Sequence, residues 1–186
     1  MSIKGSKTKT SYIEWDSMLN LIYRLQKNGK HRDALLIAFG CYTGLRMGDI
    51  LALRWEQLLG ADTLEIKENK TGKERKIKLN AELKPYIQSW HSHSPKQAPH
   101  CPVFPVTIQW VNKRLKEICT EYSIKTGNVS SHMLRKTFGR RVWDKDNQSE
   151  RALLMLGEIF NHSSIKITKI YLGIRDQEIA DVYDSL

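Results

Sequence analysis

Carboxylates are scarce in this chain, and cysteines scarcer. Thirty lysines and arginines outnumber twenty aspartates and glutamates, giving a formal net charge of +10 over 186 residues. No acidic cluster is suited to magnesium, and no Walker-type loop is present, so neither metal- nor nucleotide-driven phosphate chemistry has a foothold. The three cysteines, Cys41, Cys101 and Cys119, are widely spaced and odd in number. They form no disulfide framework and no paired metal-ligand motif, and a reducing, cytoplasmic setting is expected. No apolar run reaches membrane-spanning length, and the N-terminus lacks a signal-peptide pattern. Proline is rare outside one segment: Pro95, Pro99, Pro102 and Pro105, four of the five, fall within residues 94–105 and mark a loop there. No internal repeat occurs.

What is abundant is positive charge. An excess of this size points to a polyanionic partner, and nucleic acid is the commonest. The length suits one domain with a real core. Residues 1–10 are polar and basic and read as an arm or linker remnant, leaving 11–186 as the domain.

Hydrophobic periodicity predicts helices over 11–27, 32–42 and 47–53, broken by Asn28-Gly29 and Thr43-Gly44. The period then changes. Residues 63–66 and 75–79 read as strands joined by Asn69-Lys70-Thr71-Gly72 as a hairpin tip, and 55–57 as a third short strand. Helices are expected again over 81–90, 107–122, 131–145, 150–159, 164–171 and 176–183. The fold class is therefore α+β, mainly α, with a small antiparallel three-stranded sheet.

Against this background an ordered set of side chains stands out: Arg46, Lys70, His132, Arg135, His162 and Tyr171. His132 and Arg135 lie three apart at a helix start behind Ser130 and Ser131, so they share a face and make an anion site. Arg46 projects from a corner between two helices, where Gly44 permits a tight break. Asp49, three residues on, is placed to hold the Arg46 guanidinium. Lys70 sits at the hairpin tip. His162 precedes a helix capped by Ser163 or Ser164, and Tyr171 lies near that helix's end. A set of cations closed by one tyrosine has a phosphate as its physical target. His91, His93, His100 and Cys101 are a rival set for zinc. Their spacing matches no standard site, and a solvated loop is the preferred reading.

The boxes Thr43-Gly44-Leu45-Arg46 with Asp49, Asn69-Lys70-Thr71-Gly72-Lys73, His132-Met133-Leu134-Arg135, and His162-Ser163-Ser164 running to Tyr171 resemble those of the tyrosine recombinase family, the phage integrase-like site-specific recombinases. The resemblance covers roughly 14–186, the whole catalytic domain. Two positions depart from it. Phe160-Asn161 stands where the family has Leu-Gly before the third-box histidine, and asparagine tolerates the left-handed backbone. Lys136 stands where a second histidine often follows Arg135. Lys73 competes with Lys70 for the lysine role, and Lys-Thr-Gly favours Lys70.

The resemblance implies cleavage and rejoining of double-stranded DNA through a 3′-phosphotyrosine on Tyr171, without metal or other cofactor. Arg46 and Arg135 would grip the non-bridging oxygens, with His162 donating a further hydrogen bond. Lys70 would protonate the leaving 5′-oxygen, and His132 would accept the tyrosine proton. It implies integration, excision or inversion in a bacterial, phage or mobile-element setting. The protein would be a monomer without DNA and a tetramer in the synaptic complex. The terminal stripe of Ile179, Val182 and Leu186 is expected to pack on its own domain without DNA and to exchange between protomers in the assembly. The family's N-terminal core-binding domain is expected to be absent, the chain being either an excised domain or a short recombinase. A type IB topoisomerase-like relaxing enzyme, which shares the chemistry but pairs no sites, and a non-catalytic DNA-binding regulator are the alternatives.

Overall fold

In the computed structural model, apolar residues at helical spacing build the first element. α1 (Trp15–Lys27) buries Met18, Leu21, Ile22 and Leu25 on one face. α2 (His31–Thr43) is buried along nearly its whole length, as its continuous apolar run requires. It ends at Gly44, whose φ of 62° is the left-handed cap a glycine supplies without steric cost. A short α3 (Met47–Leu51) follows. The structure describes residues 11–185, with backbone only at 175–177. The basic arm expected at 1–10, and Leu186 of the terminal stripe, lie outside the described residues.

β1 (Thr63–Lys67) and β2 (Glu74–Lys78) pair antiparallel from Thr63 opposite Lys78 to Lys67 opposite Glu74. The sheet has two strands, not the three expected. Residues 55–57 form a turn of 3-10 helix. Their backbone pairs with the proline-rich connector instead: Trp55 N–H donates to Cys101 O and Glu56 N–H to Pro99 O. The buried Trp55 indole donates to Lys96 O at 2.8 Å. The connector's carbonyls thus take the donors that a third strand would have offered to the hairpin.

The remaining elements are helical: α4 (Lys84–His93), α5 (Ile108–Glu121), α6 (His132–Lys145), α7 (Glu150–Phe160), α8 (Ile165–Leu172) and α9 (Ile174–Asp184). Two compact units divide the chain, one ending at Thr137 and the next beginning at Phe138. The buried apolar residues collect into two clusters. In the first unit the core is built on α1, α2, α5 and the start of α6. There a Cβ on Gly40 would lie 2.8 Å from the Leu134 Cβ, so only glycine lets α2 and the start of α6 approach so closely. In the second unit Trp143, Leu153, Leu156, Phe160, Leu172 and Ile174 form the core. α9 buries Ile174 but leaves Ile179, Val182 and Tyr183 exposed, so the expected self-packing of that stripe is not found at Ile179 or Val182.

Candidate active site

The first unit brings together Arg46, Lys70, His132 and Arg135. Arg46 is the extended residue just ahead of α3, held at the corner that the Gly44 cap creates. Thr43 stiffens that corner by donating its hydroxyl hydrogen to Phe39 O at 2.7 Å. Arg135 is buried, and its guanidinium donates to Gly44 O at 2.5 Å. The second box is thereby bonded to the backbone of the first.

Lys70 lies exposed on the loop between β1 and β2. Backbone bonds from Glu68 N–H to Lys73 O (2.9 Å) and from Gly72 N–H to Glu68 O (2.8 Å) close that loop. The left-handed φ of 67° at Gly72 completes the turn. Asp49 does not take the role expected of it. Its Oδ1 accepts the Asn69 N–H at 2.8 Å, which ties the hairpin tip to α3. The carboxylate on Arg46 is that of Glu68, at 2.5 Å.

Glu68 was not singled out in the sequence, because it reads there as one more polar residue beside a turn. Its side chain is 2 % exposed and also accepts from Arg75 at 2.9 Å and from the Thr71 hydroxyl at 2.7 Å. Burial alone would raise its pKa. The hydrogen bonds from Arg75, Thr71 and Arg46 outweigh that and bring it down to about 2. The available signal was an acidic residue in a strongly basic stretch, two positions before Lys70 and seven before Arg75.

His132 keeps an exposed surface, yet its pKa is lowered, first by partial loss of water around the ring and then by the charges of Arg135, Lys70 and Arg46. Loss of water and the three neighbouring cations act in the same direction. They hold the imidazole neutral, the form that accepts a proton.

The second unit carries His162 and Tyr171. α7 ends at Asn161, whose φ of 56° and ψ of 50° are the left-handed cap that asparagine tolerates. His162 N–H then donates to Gly157 O at 2.8 Å, closing the turn. Ser164, rather than Ser163, caps α8 by accepting the Ile167 N–H at 3.3 Å. His162 Nδ1 lies 3.1 Å from the hydroxyl of the buried Thr168, a bond that fixes the ring. Tyr171 is half-buried near the end of α8, edge-on to His162 with ring centroids 5.3 Å apart. Phe160 completes an aromatic triangle, 5.4 Å from each.

Among the described residues no group of three or more His, Cys, Asp and Glu is placed to hold a metal ion. Of the zinc rivals, His93 Nδ1 bonds its own helix at Ser89 O, and His91 Nε2 bonds Gln97 O. A cavity of about 660 Å³ in the first unit, lined by His31, Arg32, Trp90, His93, Trp110 and Arg114, contains none of the six box residues. No helix among the described residues is long and apolar enough to cross a membrane.

A mainly helical chain with this hairpin and these boxes has the fold of the tyrosine recombinases. It superposes on the XerA recombinase with a TM-score of 0.69 at 19% identity, covering 94% of this chain and 64% of that one. The lambda integrase catalytic core gives a TM-score of 0.59 at 17% identity, over 79% of this chain and 91% of the other. The chain belongs to the phage integrase family, whose model matches residues 12–178. It is 30% identical over 168 residues to the probable integrase/recombinase YoeC of Bacillus subtilis, covering 87% of each chain. It is 28% identical over 160 residues to the tyrosine recombinase XerC of Xanthomonas campestris, covering 83% of this chain and 48% of that protein. The chain thus spans about half the length of that XerC.

Proposed function

We propose that this chain is a site-specific DNA recombinase that cuts and rejoins double-stranded DNA through a 3′-phosphotyrosine on Tyr171. The observation that carries the reading is the convergence in the first unit: the charges of Arg135, Lys70 and Arg46 all act on His132. Four residues from three separate stretches of the sequence, each chemically suited to a phosphodiester, come together in one place. Residues 11–186 constitute the catalytic domain.

A tyrosine hydroxyl has an unperturbed pKa of about 10 and is a weak nucleophile at neutral pH. It needs an in-line phosphate and stabilised charge. Arg46 and Arg135 supply fixed guanidinium donors for the two non-bridging oxygens, whose charge is spread in the transition state. His132, held neutral, takes the Tyr171 proton as the oxygen attacks phosphorus. Lys70, on the exposed tip, gives a proton to the departing 5′-oxygen. His162 donates a further hydrogen bond to the phosphoryl group. The products are a 3′-phosphotyrosine and a free 5′-hydroxyl. The 5′-hydroxyl of a second strand reverses the step, and the bond energy is conserved throughout.

We further infer a monomer without DNA and a tetramer in the synaptic complex, acting on cytoplasmic DNA. The exposed Ile179, Val182 and Tyr183 of α9 support exchange of that helix with a second copy. Polarising them with Ile179→Glu and Val182→Glu is expected to abolish synapsis and leave DNA binding by the monomer intact.

The deciding experiment uses nicked suicide DNA carrying candidate sites. A covalent protein–DNA adduct is expected, and it disappears in Tyr171→Phe while binding persists. Specific binding without adduct on any DNA would make the protein a regulator. Relaxation of plasmid lacking any specific site would make it a topoisomerase.

A further inference from the structure

Glu68 is a buried charge to which the mechanism gives no role. It stands between the two first-unit groups that approach the phosphate from different elements. Through its backbone it closes the 68–73 loop that presents Lys70, accepting from Gly72 N–H and donating to Lys73 O. Its side chain joins the hairpin to Arg46: Oε2 accepts from Arg46 at 2.5 Å and, within the hairpin, from Thr71 at 2.7 Å, and Oε1 from Arg75 at 2.9 Å. Asp49 adds a second tie from α3 to the same loop through Asn69 N–H.

A buried carboxylate with its acceptor sites this fully used is costly to move. Carboxylate–guanidinium bonds also have directions, so a held Arg46 presents its remaining N–H edge at one angle. Without the carboxylate, Arg46 loses its bond to the hairpin, and the Lys70 loop is held to the α3 region by its Asn69 bonds to Asp49 and Gly48. That loss misplaces a donor relative to the phosphorus.

We propose that Glu68 is a positioning residue that couples the Lys70 loop to Arg46, so that the phosphate clamp and the general acid reach one phosphate together. It touches neither DNA nor the reacting atoms. This inference rests on the functional reading above.

The test has two arms. The first measures covalent adduct formation by Glu68→Gln on two suicide substrates. One has the natural 5′-oxygen leaving group, and the other a 5′-bridging sulfur whose thiolate leaves without a proton. On oxygen the variant is expected to react about 100-fold slower, the cost of a donor misplaced by about 1 Å, with DNA affinity nearly unchanged. On sulfur the deficit shrinks by about tenfold or more, because the Lys70 share is no longer needed. Equal rates to the parent, or the same loss on both substrates, would overturn the coupling. If Glu68→Gln does not fold, Thr71→Val removes one bond to Oε2. It is then expected to be about fivefold slower on oxygen, and a parental rate on that substrate counts against the proposal.

The second arm needs no DNA. Arg46→Met is expected to speed hydrogen exchange at the Glu68 and Gly72 amides while leaving α1 amides unchanged. Unaltered exchange at those two amides would overturn the proposal even in a protein that cuts DNA well. Faster exchange in Arg46→Met, together with a parent protein that forms no adduct on any DNA, would instead fault the functional reading and leave the coupling standing.

Discussion

The guanidinium of Arg135 donates to the carbonyl oxygen of Gly44, 91 residues earlier in the chain and 2.5 Å away. The bond joins the second box to the glycine that ends α2, and it explains why the first box needs that glycine. A left-handed cap swings the chain off the helix axis, and its carbonyl meets a buried arginine.

Arg135→Lys keeps the charge but loses the planar fork. Cleavage is expected to fall by about 100-fold or more, as for loss of a donor to developing negative charge. Leaving the Gly44 carbonyl without its donor costs about 1–3 kcal/mol of stability. Single-turnover adduct formation and urea denaturation read the two effects separately. A lysine variant with parental cleavage would show that the fork is dispensable.

The pH profile carries the signature of His132. Its pKa in the folded protein lies below the ordinary histidine value of 6.5. As general base it works only when neutral, so the acid limb of the cleavage profile should be centred below pH 6.5. His132→Gln should be slow throughout and lack that acid limb. A parental decline centred above pH 6.5 would exclude His132 as the base.

Glu68 sets a second dependence, this one on stability. Its folded pKa of about 2 lies below the ordinary 4.5. The sign follows from linkage: the unfolded chain binds the proton first, so Glu68 contributes stability above pH 4.5 and loses it as pH falls toward 2. Urea midpoints measured from pH 6 to pH 2 should fall less steeply for Glu68→Gln than for the parent. Parallel curves would show that the carboxylate is not held as described.

Gly139 lies in the second unit, where a Cβ would sit 2.5 Å from the Leu172 Cδ2 and 3.0 Å from the Phe160 ring. Gly139→Ala is expected to cost about 1–3 kcal/mol through overpacking. It should also slow adduct formation, since Leu172 neighbours Tyr171 in sequence and Phe160 packs on the Tyr171 ring. Gly48→Ala is the contrast. Nothing lies within 4 Å of a Cβ there, and in a helix the change should stabilise by about 0.5–1 kcal/mol. Chemical denaturation of the two variants side by side makes the comparison.

The six box residues were legible in the sequence because each sits in a local context that a short motif can specify. A Thr-Gly break marks the Arg46 corner, a hairpin tip marks Lys70, and i, i+3 spacing joins His132 to Arg135. A tolerant Asn161 precedes His162, and a Ser164 cap opens the helix that carries Tyr171. All of these are decided within a few residues by backbone preference and helical period. The two real strands were legible for the same reason. The third was not, because the backbone donors of 55–57 are taken by a connector some 40 residues on, and periodicity carries no information about such partners.

Side-chain pairing was the other thing that local pattern could not supply. Asp49, three residues from Arg46, was the natural partner by proximity, yet it bonds the Asn69 amide, and Glu68 takes the guanidinium. Which carboxylate holds an arginine depends on where a hairpin lands against a helix corner. That is settled by long-range packing, and by the high cost of burying a charge without a counterpart. The candidate reactive groups were therefore written in short motifs along the chain. Their coupling arises from contacts that exist only once distant segments have folded together.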